Sequence, residues 1–325
     1  MSLTRYLPTP SDRMGILWTL LQIEDAIILE YGTAGTTAYA MKTLGIMDFS
    51  IRNKLFTTGM DENNIVMGDT AKLEEKIKYL DHTYSPKVIF VMASSVSSVT
   101  GADVKGICNY LQEDVNAKII TFTQGGWGGD FSSGIEVCLT DLVTHLATDV
   151  LPVGNYYNLL GASATSEHAR NNTREIAEVM QAKHGLQANA VLSLNTNLEQ
   201  IATMSKARLN LVISYEGLKA AELLKERFGT PYEYGFPLSS IQIPATNFHK
   251  IAVYASYDEL LAYKSLAIER GLEIEFLLCT HKIHKIKNCP EDILYLKDEK
   301  SKIELFRNLE DTLVLGDSIT KGTVT

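Results

Sequence analysis

The stretch 26-AIILEYGTAGTTAYAM-41 decides how the rest of the chain is read. Ala26 to Leu29 is an apolar run of the kind that forms a buried strand. It ends in the turn Tyr31-Gly32-Thr33-Ala34-Gly35-Thr36, and good helix formers follow. A glycine turn from a strand into a helix leaves the first helical N–H groups facing outward without backbone partners. The turn is therefore a candidate site, centred on Gly32, Gly35 and Thr36.

The same strand–turn–helix pattern recurs down the chain. "KVIFVMAS" (87–94) and "AKIITFTQ" (117–124) are continuous apolar runs bounded by polar turns, which suits strands buried on both faces of a parallel sheet. Leu73, Ile77 and Leu80 mark a helical face capped by Asp69 or Thr70, and Thr100 and Asp103 are spaced as a capping box. The pattern restarts after "LPVGN" with "YYNLLGA", "ANAVLSL" and "RLNLVIS", and a helix stops at Gly229 before Pro231. A third round runs through "KIAVYAS", "EIEFLLCT", "DILYLKD" and "TLVLGDS". The expected fold class is α/β, with three doubly wound (Rossmann-like) parallel-sheet domains at residues 1–150, 151–247 and 248–325. Ligands in such sheets bind outside the carboxyl ends of the strands.

A length of 325 residues holds two or three cores. A formal net charge of −9, without a long Lys/Arg block, argues against nucleic acid as the main partner. No apolar run approaches the length of a membrane span, and "MSLTRYLPTPSDRMG" lacks the apolar core of a signal peptide. Four cysteines without a C-x-x-C pair read as reduced thiols, so a cytoplasmic location is expected.

Three loops follow strands in the first block: the opening turn, "ASSVSSVTG" (93–101) and "TQGGWGGDF" (123–131). None matches G-x-G-x-x-G or the Walker pattern, so no nucleotide site is indicated. Neither G-x-S-x-G nor H-E-x-x-H occurs. Gly125, Gly126 and Trp127 in the third loop form a glycine frame around one indole, which could stack on a flat ligand or plug the loop.

In order and spacing, "ILEYGTAGTTAY", "FTTGMDENNIVMGDTAKLEEKI" and "VIFVMASSVSSVTGADV" resemble the amino-terminal domain of nitrogenase component 1. "YYNLLGA" and "IATMSKARLNLVISYEGLKAAELLKERFGTPY" resemble that family's middle domain, and the carboxyl-terminal part looks shortened relative to it. The resemblance implies three Rossmann-like domains around a central cleft. In the family the opening turn carries a cysteine that binds an iron–sulfur cluster at a subunit interface; the matching residue here is Thr36. A second ligand cysteine falls at Ser95, and a first would lie around Leu7 to Pro10, where none occurs. The active-site cofactor's cysteine ligand falls at Ser214. Iron–sulfur clusters require soft thiolates, for which neutral hydroxyls are poor substitutes.

The resemblance thus implies a component 1-like oxidoreductase subunit that is not a true nitrogenase and holds no family-type cluster by itself. It implies a homo- or hetero-dimer with a component 1 paralogue and a separate ATP-dependent iron–sulfur reductase as electron donor. The missing thiols leave room for a tetrapyrrole or other metal chelate as ligand. The competing reading is a cluster-free scaffold or metal-chelate-binding protein without catalysis.

"CTHKIHKIKNC" gathers Cys279, His281, His284 and Cys289, but its spacing fits no common zinc module. It reads as a buried Cys279 ending a strand, then an exposed basic loop, with no metal expected. His145 reads as a partly buried helix residue, His82 and His184 lie near helix ends that favour a cation, and His168 and His249 lack a carboxylate or nucleophile at useful spacing. Glu30, just before the turn, reads as a solvated edge residue. No catalytic residue stands out.

Overall fold

The computed structural model describes residues 9–44, 54–68, 70–151, 154–162, 169–192, 194–235, 241–282, 289–296 and 298–316. Helix α1 (Asp12–Leu21) leads into the first sheet, made of β1 (Ile27–Tyr31), β2 (Leu55–Thr57), β3 (Val88–Ala93) and β4 (Lys118–Phe122). Its helices are α2 (Ala34–Leu44), α3 (Glu62–Met67), α4 (Ala71–Tyr84), α5 (Ser95–Val99), α6 (Val104–Leu111) and α7 (Phe131–Leu146). The second sheet has β5 (Tyr156–Leu160), β6 (Gln187–Val191), β7 (Leu209–Val212) and β8 (Tyr232–Tyr234), with α8 (Ala169–His184), α9 (Leu198–Ala202) and α10 (Leu218–Phe228). The third has β9 (Lys250–Ala255), β10 (Glu273–Cys279), β11 (Ile293–Leu294) and β12 (Thr312–Gly316), with α11 (Tyr257–Glu269) and α12 (Glu299–Arg307).

All three sheets are parallel throughout and four-stranded, as an α/β fold requires. Their orders are β2-β1-β3-β4, β6-β5-β7-β8 and β11-β10-β9-β12. In the first two sheets the winding reverses between the first and third strands; in the third it reverses between β9 and β12. Crevices at the carboxyl ends therefore open after β1/β3, β5/β7 and β9/β12, the places where such folds bind ligands.

The continuous apolar strands are explained by two-sided burial. Ile28, Phe90, Met92, Ile120 and Phe122 point to one face of the first sheet, while Ile27, Leu29, Tyr31, Ile89 and Val91 point to the other. The first of these cores does not stop at the first sheet. It continues through α1 and α7 into Leu160, Leu192, Val212 and Leu224 of the second. The two helices cross at backbone contact: a Cβ on Gly15 would lie 1.9 Å from the Phe131 carbonyl oxygen, and one on Gly134 1.8 Å from that of Asp12. The carboxyl end of α7 is capped from the second sheet, since Arg227 donates to the carbonyls of Val143 (2.6 Å) and Ala147 (3.1 Å).

Local readings differ in places. Asp103 alone caps α6, accepting from Gly106 N at 2.9 Å, while Thr100 ends α5 and donates to Ser97 O, so the two form no capping box. Thr70 precedes α4 without a side-chain cap bond, and Asp69 lies outside the described residues. "DILYLKD" contributes only Ile293–Leu294 to its sheet. No helix among the described residues is long and apolar enough to cross a membrane.

Candidate functional site

The three loops of the first sheet converge on Ser94, which is fully buried. A Cβ on Gly32 would lie 2.6 Å from Ser94 Cβ, and one on Gly125 would lie 2.0 Å from Ser98 Oγ and 3.1 Å from the Ser94 carbonyl oxygen. Both glycines are therefore required for the loops to close. Gly35 is not: nothing lies within 4 Å of a Cβ there. Ser94 caps α5 through a reciprocal pair with Ser97 (3.1 and 2.8 Å), which sets Ser95 as the first residue of that helix.

The opening turn is closed on itself. Gly32 N donates to Thr58 Oγ1 at 3.1 Å, Thr36 Oγ1 donates to the Thr33 carbonyl at 2.8 Å, and Thr37 N reaches the same carbonyl at 3.4 Å. Of the donors expected from the sequence to be open, the Gly32, Thr36 and Thr37 amides already have protein partners. Glu30 is likewise not a solvated edge residue. It is 2 % exposed, ion-paired with buried Arg13, and accepts from Thr37 Oγ1 at 2.6 Å. Alternation along β1 turns Glu30 toward α1, and Arg13, two residues before Gly15 and its crossing with α7, supplies the counter-charge.

Ser214 belongs to the second sheet's crevice and not to the Ser94 cluster. It follows β7 and packs on Gly161, whose left-handed backbone (φ +86°) ends β5; a Cβ on Gly161 would lie 2.3 Å from Ser214 Oγ. That hydroxyl is buried and has no hydrogen-bond partner among the described residues. Trp127 does not plug its glycine loop. It is 70 % exposed, at the edge of an open recess of about 570 Å³ that Gly125 also lines. Gly126 holds the turn with φ +102° against Ser11.

The sequence reading passed over a group of carboxylates where the sheets meet. Asp258, at the start of α11, accepts from the Tyr215 amide (2.9 Å) and the Tyr234 hydroxyl (2.7 Å) of the second sheet. Ser132 of α7 donates to buried Glu216 at 2.8 Å, and Lys282 N donates to Asp130, the cap of α7, at 2.8 Å. Burial, reinforced by the Glu216 charge, pushes the Asp258 carboxyl up to about 7. Burial first, and then the neighbouring Asp258 charge, also raises the Tyr234 phenol. Asp130, Glu216 and Asp258 stand far apart in the chain, so no sequence spacing signals their meeting.

The donors present do not suit the family's cluster. Thr36, Ser95 and Ser214 offer neutral hydroxyls. Cys108 and Cys138 face hydrophobic cores from α6 and α7, and burial raises both thiols. Cys279 is pushed up to about 12, again chiefly by burial. Iron–sulfur clusters are held by soft thiolates, for which the neutral hydroxyls of Thr36, Ser95 and Ser214 are poor substitutes. Among the described residues, no group of three or more His, Cys, Asp or Glu could hold a metal ion. The segment after β10 is not wholly an exposed loop: His281 is 2 % exposed and meets Phe131 edge-on at 6.0 Å between centroids. His168, His284, Leu7 and Pro8 lie outside the described residues.

The chain is similar in sequence and fold to known proteins. The nitrogenase iron-molybdenum cofactor biosynthesis protein NifE of Clostridium pasteurianum is 27% identical over 216 residues, covering 65% of this chain and 46% of that protein. One of the subunits of the light-independent protochlorophyllide reductase of Heliobacterium modesticaldum is 24% identical over 167 residues, or 51% of this chain and 32% of that one. The chain spans about half the length of the NifE relatives it matches. The solved structure of nitrogenase Cp1 at pH 6.5 superposes with a TM-score of 0.76 at 14% identity, covering 99% of this chain and 84% of that one. The nitrogenase component 1 type oxidoreductase family model matches residues 11–239, and the chain belongs to that family.

Proposed function

We propose that the chain is a component 1-like subunit of a reductive system that is not a true nitrogenase, with electrons arriving from a separate ATP-dependent iron–sulfur reductase. The observation that carries this reading is the pairing of a retained family frame with a hydroxyl at each candidate ligand position: Thr36, Ser95 and Ser214. In this reading the chain shapes a cleft and a paralogue, as dimer partner, supplies thiolates. Three units at residues 1–150, 151–247 and 248–325 and a cytoplasmic location belong to the same proposal.

A second reading is favoured by one particular group. The Ser214 hydroxyl is buried beside the β5/β7 crevice without a partner among the described residues, and buried hydroxyls normally find one. It suits a hydrogen bond to the rim of a tetrapyrrole or other preformed metal chelate, held without catalysis. The names of two relatives, one a cofactor biosynthesis protein and the other part of a protochlorophyllide reductase, agree with a chelate or tetrapyrrole ligand.

Anaerobic purification of the chain alone and with a component 1 paralogue separates the two. Iron and sulfide that appear only in the co-purified complex, with visible absorption, support the redox reading. Colourless, iron-free preparations in both cases reject it and leave the chelate-binding reading.

A further inference from the structure

The recess beside Trp127 is distinct from the β5/β7 crevice and is not used by either reading above. It opens between the loops after β3 and β4, with a volume of about 570 Å³, within the range of small-molecule sites. Its chemistry is one-sided. Asp12 and Asp103 line it and, among the described residues, no lysine, arginine or histidine does. Both carboxylates are fixed by backbone donors only: Asp12 by Gly128 N (2.9 Å) and Arg13 N (2.7 Å), Asp103 by Gly106 N (2.9 Å). Neither ion-pairs with a basic residue among the described residues; the nearby Arg13 guanidinium is taken by Glu30.

Two further groups point to what would occupy it. Gln124, in the wall, has a buried amide oxygen with no hydrogen-bond donor among the described residues. Trp127 presents an exposed indole at the rim, and indole faces attract cations more strongly than other aromatic rings do. Gly125 and Gly128 keep the wall free of side chains. A divalent metal prefers a closed shell of several oxygens, which an open recess of this size does not provide. We infer that this recess binds a flat organic cation of the amidinium or protonated amino-heterocycle class, stacked on Trp127, with Gln124 Oε1 accepting from its N–H and Asp12 and Asp103 balancing its charge.

The chain has two tryptophans, and the other, Trp18, is buried in the core, so a ligand in the recess is read by the fluorescence of Trp127. Benzamidine is the probe, with benzamide and benzoate as flat neutral and anionic counterparts. Benzamidine should quench saturably, bind at least tenfold more tightly than benzamide, and weaken as salt is raised, while benzoate should not bind. Asp103→Asn keeps a residue suited to capping α6 but removes the charge, and should weaken benzamidine at least fivefold with benzamide unchanged. Gln124→Leu should weaken both. Saturation-transfer NMR repeats the comparison on Trp127→Leu, where binding should be lost. Benzoate binding as well as benzamidine, benzamidine binding unmoved by both Asp103→Asn and Gln124→Leu, or no binding of any probe would each overturn the inference. Quenching by magnesium chloride as strong as that by benzamidine would also overturn it, in favour of a bare metal site.

Discussion

The Ser132 hydroxyl lies 2.8 Å from Glu216 Oε1, joining the helix that follows the first sheet to the loop that follows β7 in the second. Asp258 does the same between the second and third sheets through Tyr215 and Tyr234. Asp130 links the first to the third through Lys282 N. Each pair of sheets is thus bridged by at least one carboxylate, and the first two by Asp25 as well, which accepts from Leu198 N at 2.8 Å. Such bonds are strong where water is excluded, and the like charges they bring together oppose them.

The burial of Asp258, with that opposition added to it, gives stability a pH dependence. The folded Asp258 carboxyl titrates at about 7, well above an unfolded aspartate. Between those values the folded chain holds a proton that the unfolded chain has lost, so stability falls as pH rises across roughly 4 to 7 and levels off on either side. Allowing for solvent screening at this part-exposed group, the loss is on the order of 2 kcal/mol. Urea midpoints at about pH 5 and about pH 8 should show the decline in the parent and a smaller one in Asp258→Asn. Equal slopes in the two proteins would place the effect in other groups.

The Arg13–Glu30 pair predicts a different signature. Both side chains are buried, and Arg13 Nε has no partner beyond the pair. Arg13→Met leaves an unpaired carboxylate under β1 and should cost roughly 3–5 kcal/mol. Adding Glu30→Gln keeps the acceptor for Thr37 and removes the charge, so the double variant should be more stable than Arg13→Met alone. A double variant less stable than the single one would mean that Glu30 is compensated by something other than Arg13.

The alternation of elements is legible because strands buried on both faces, such as Val88–Ala93, leave unbroken apolar runs. Helix α1 leaves no such signal, since it is buried on all sides and 12-DRMGILWTLL-21 has no stripe of helical period. The edge strands Leu55–Thr57 and Tyr232–Tyr234 are too short for a pattern. The convergence of Gly32 and Gly125 on one loop follows from topology. Glu30 is misread from sequence because a single carboxylate in a strand carries no mark of its partner, and Arg13 stands seventeen residues away. The meeting of Asp130, Glu216 and Asp258 is invisible for the same reason.

Glycines that look alike in sequence should separate sharply under substitution. Gly134→Ala places a Cβ 1.8 Å from the Asp12 carbonyl oxygen, with rigid backbone on both sides. Parting α1 from α7 should cost about 3 kcal/mol or more. Gly35→Ala adds a methyl in open space on a helix and should stabilise by about 0.5–1 kcal/mol. Chemical denaturation of the two variants checks both signs. A destabilising Gly35→Ala would show that the turn needs its second glycine for a reason other than packing.

Ser214 distinguishes a position kept for packing from one kept for a ligand. Its hydroxyl has no partner among the described residues, so removing the oxygen relieves an unpaired polar group instead of breaking a bond. Ser214→Ala should leave stability unchanged or raise it by up to about 1–2 kcal/mol. Ser214→Val fails as a control, because Gly161 already holds its backbone close to this side chain and a second branch would clash. The alanine variant's thermal midpoint in the absence of ligand, beside the parent's, is the measurement. A fall of more than about 1 kcal/mol would mean that the hydroxyl is satisfied inside the protein, and the case for a chelate rim at the β5/β7 crevice would lose its support.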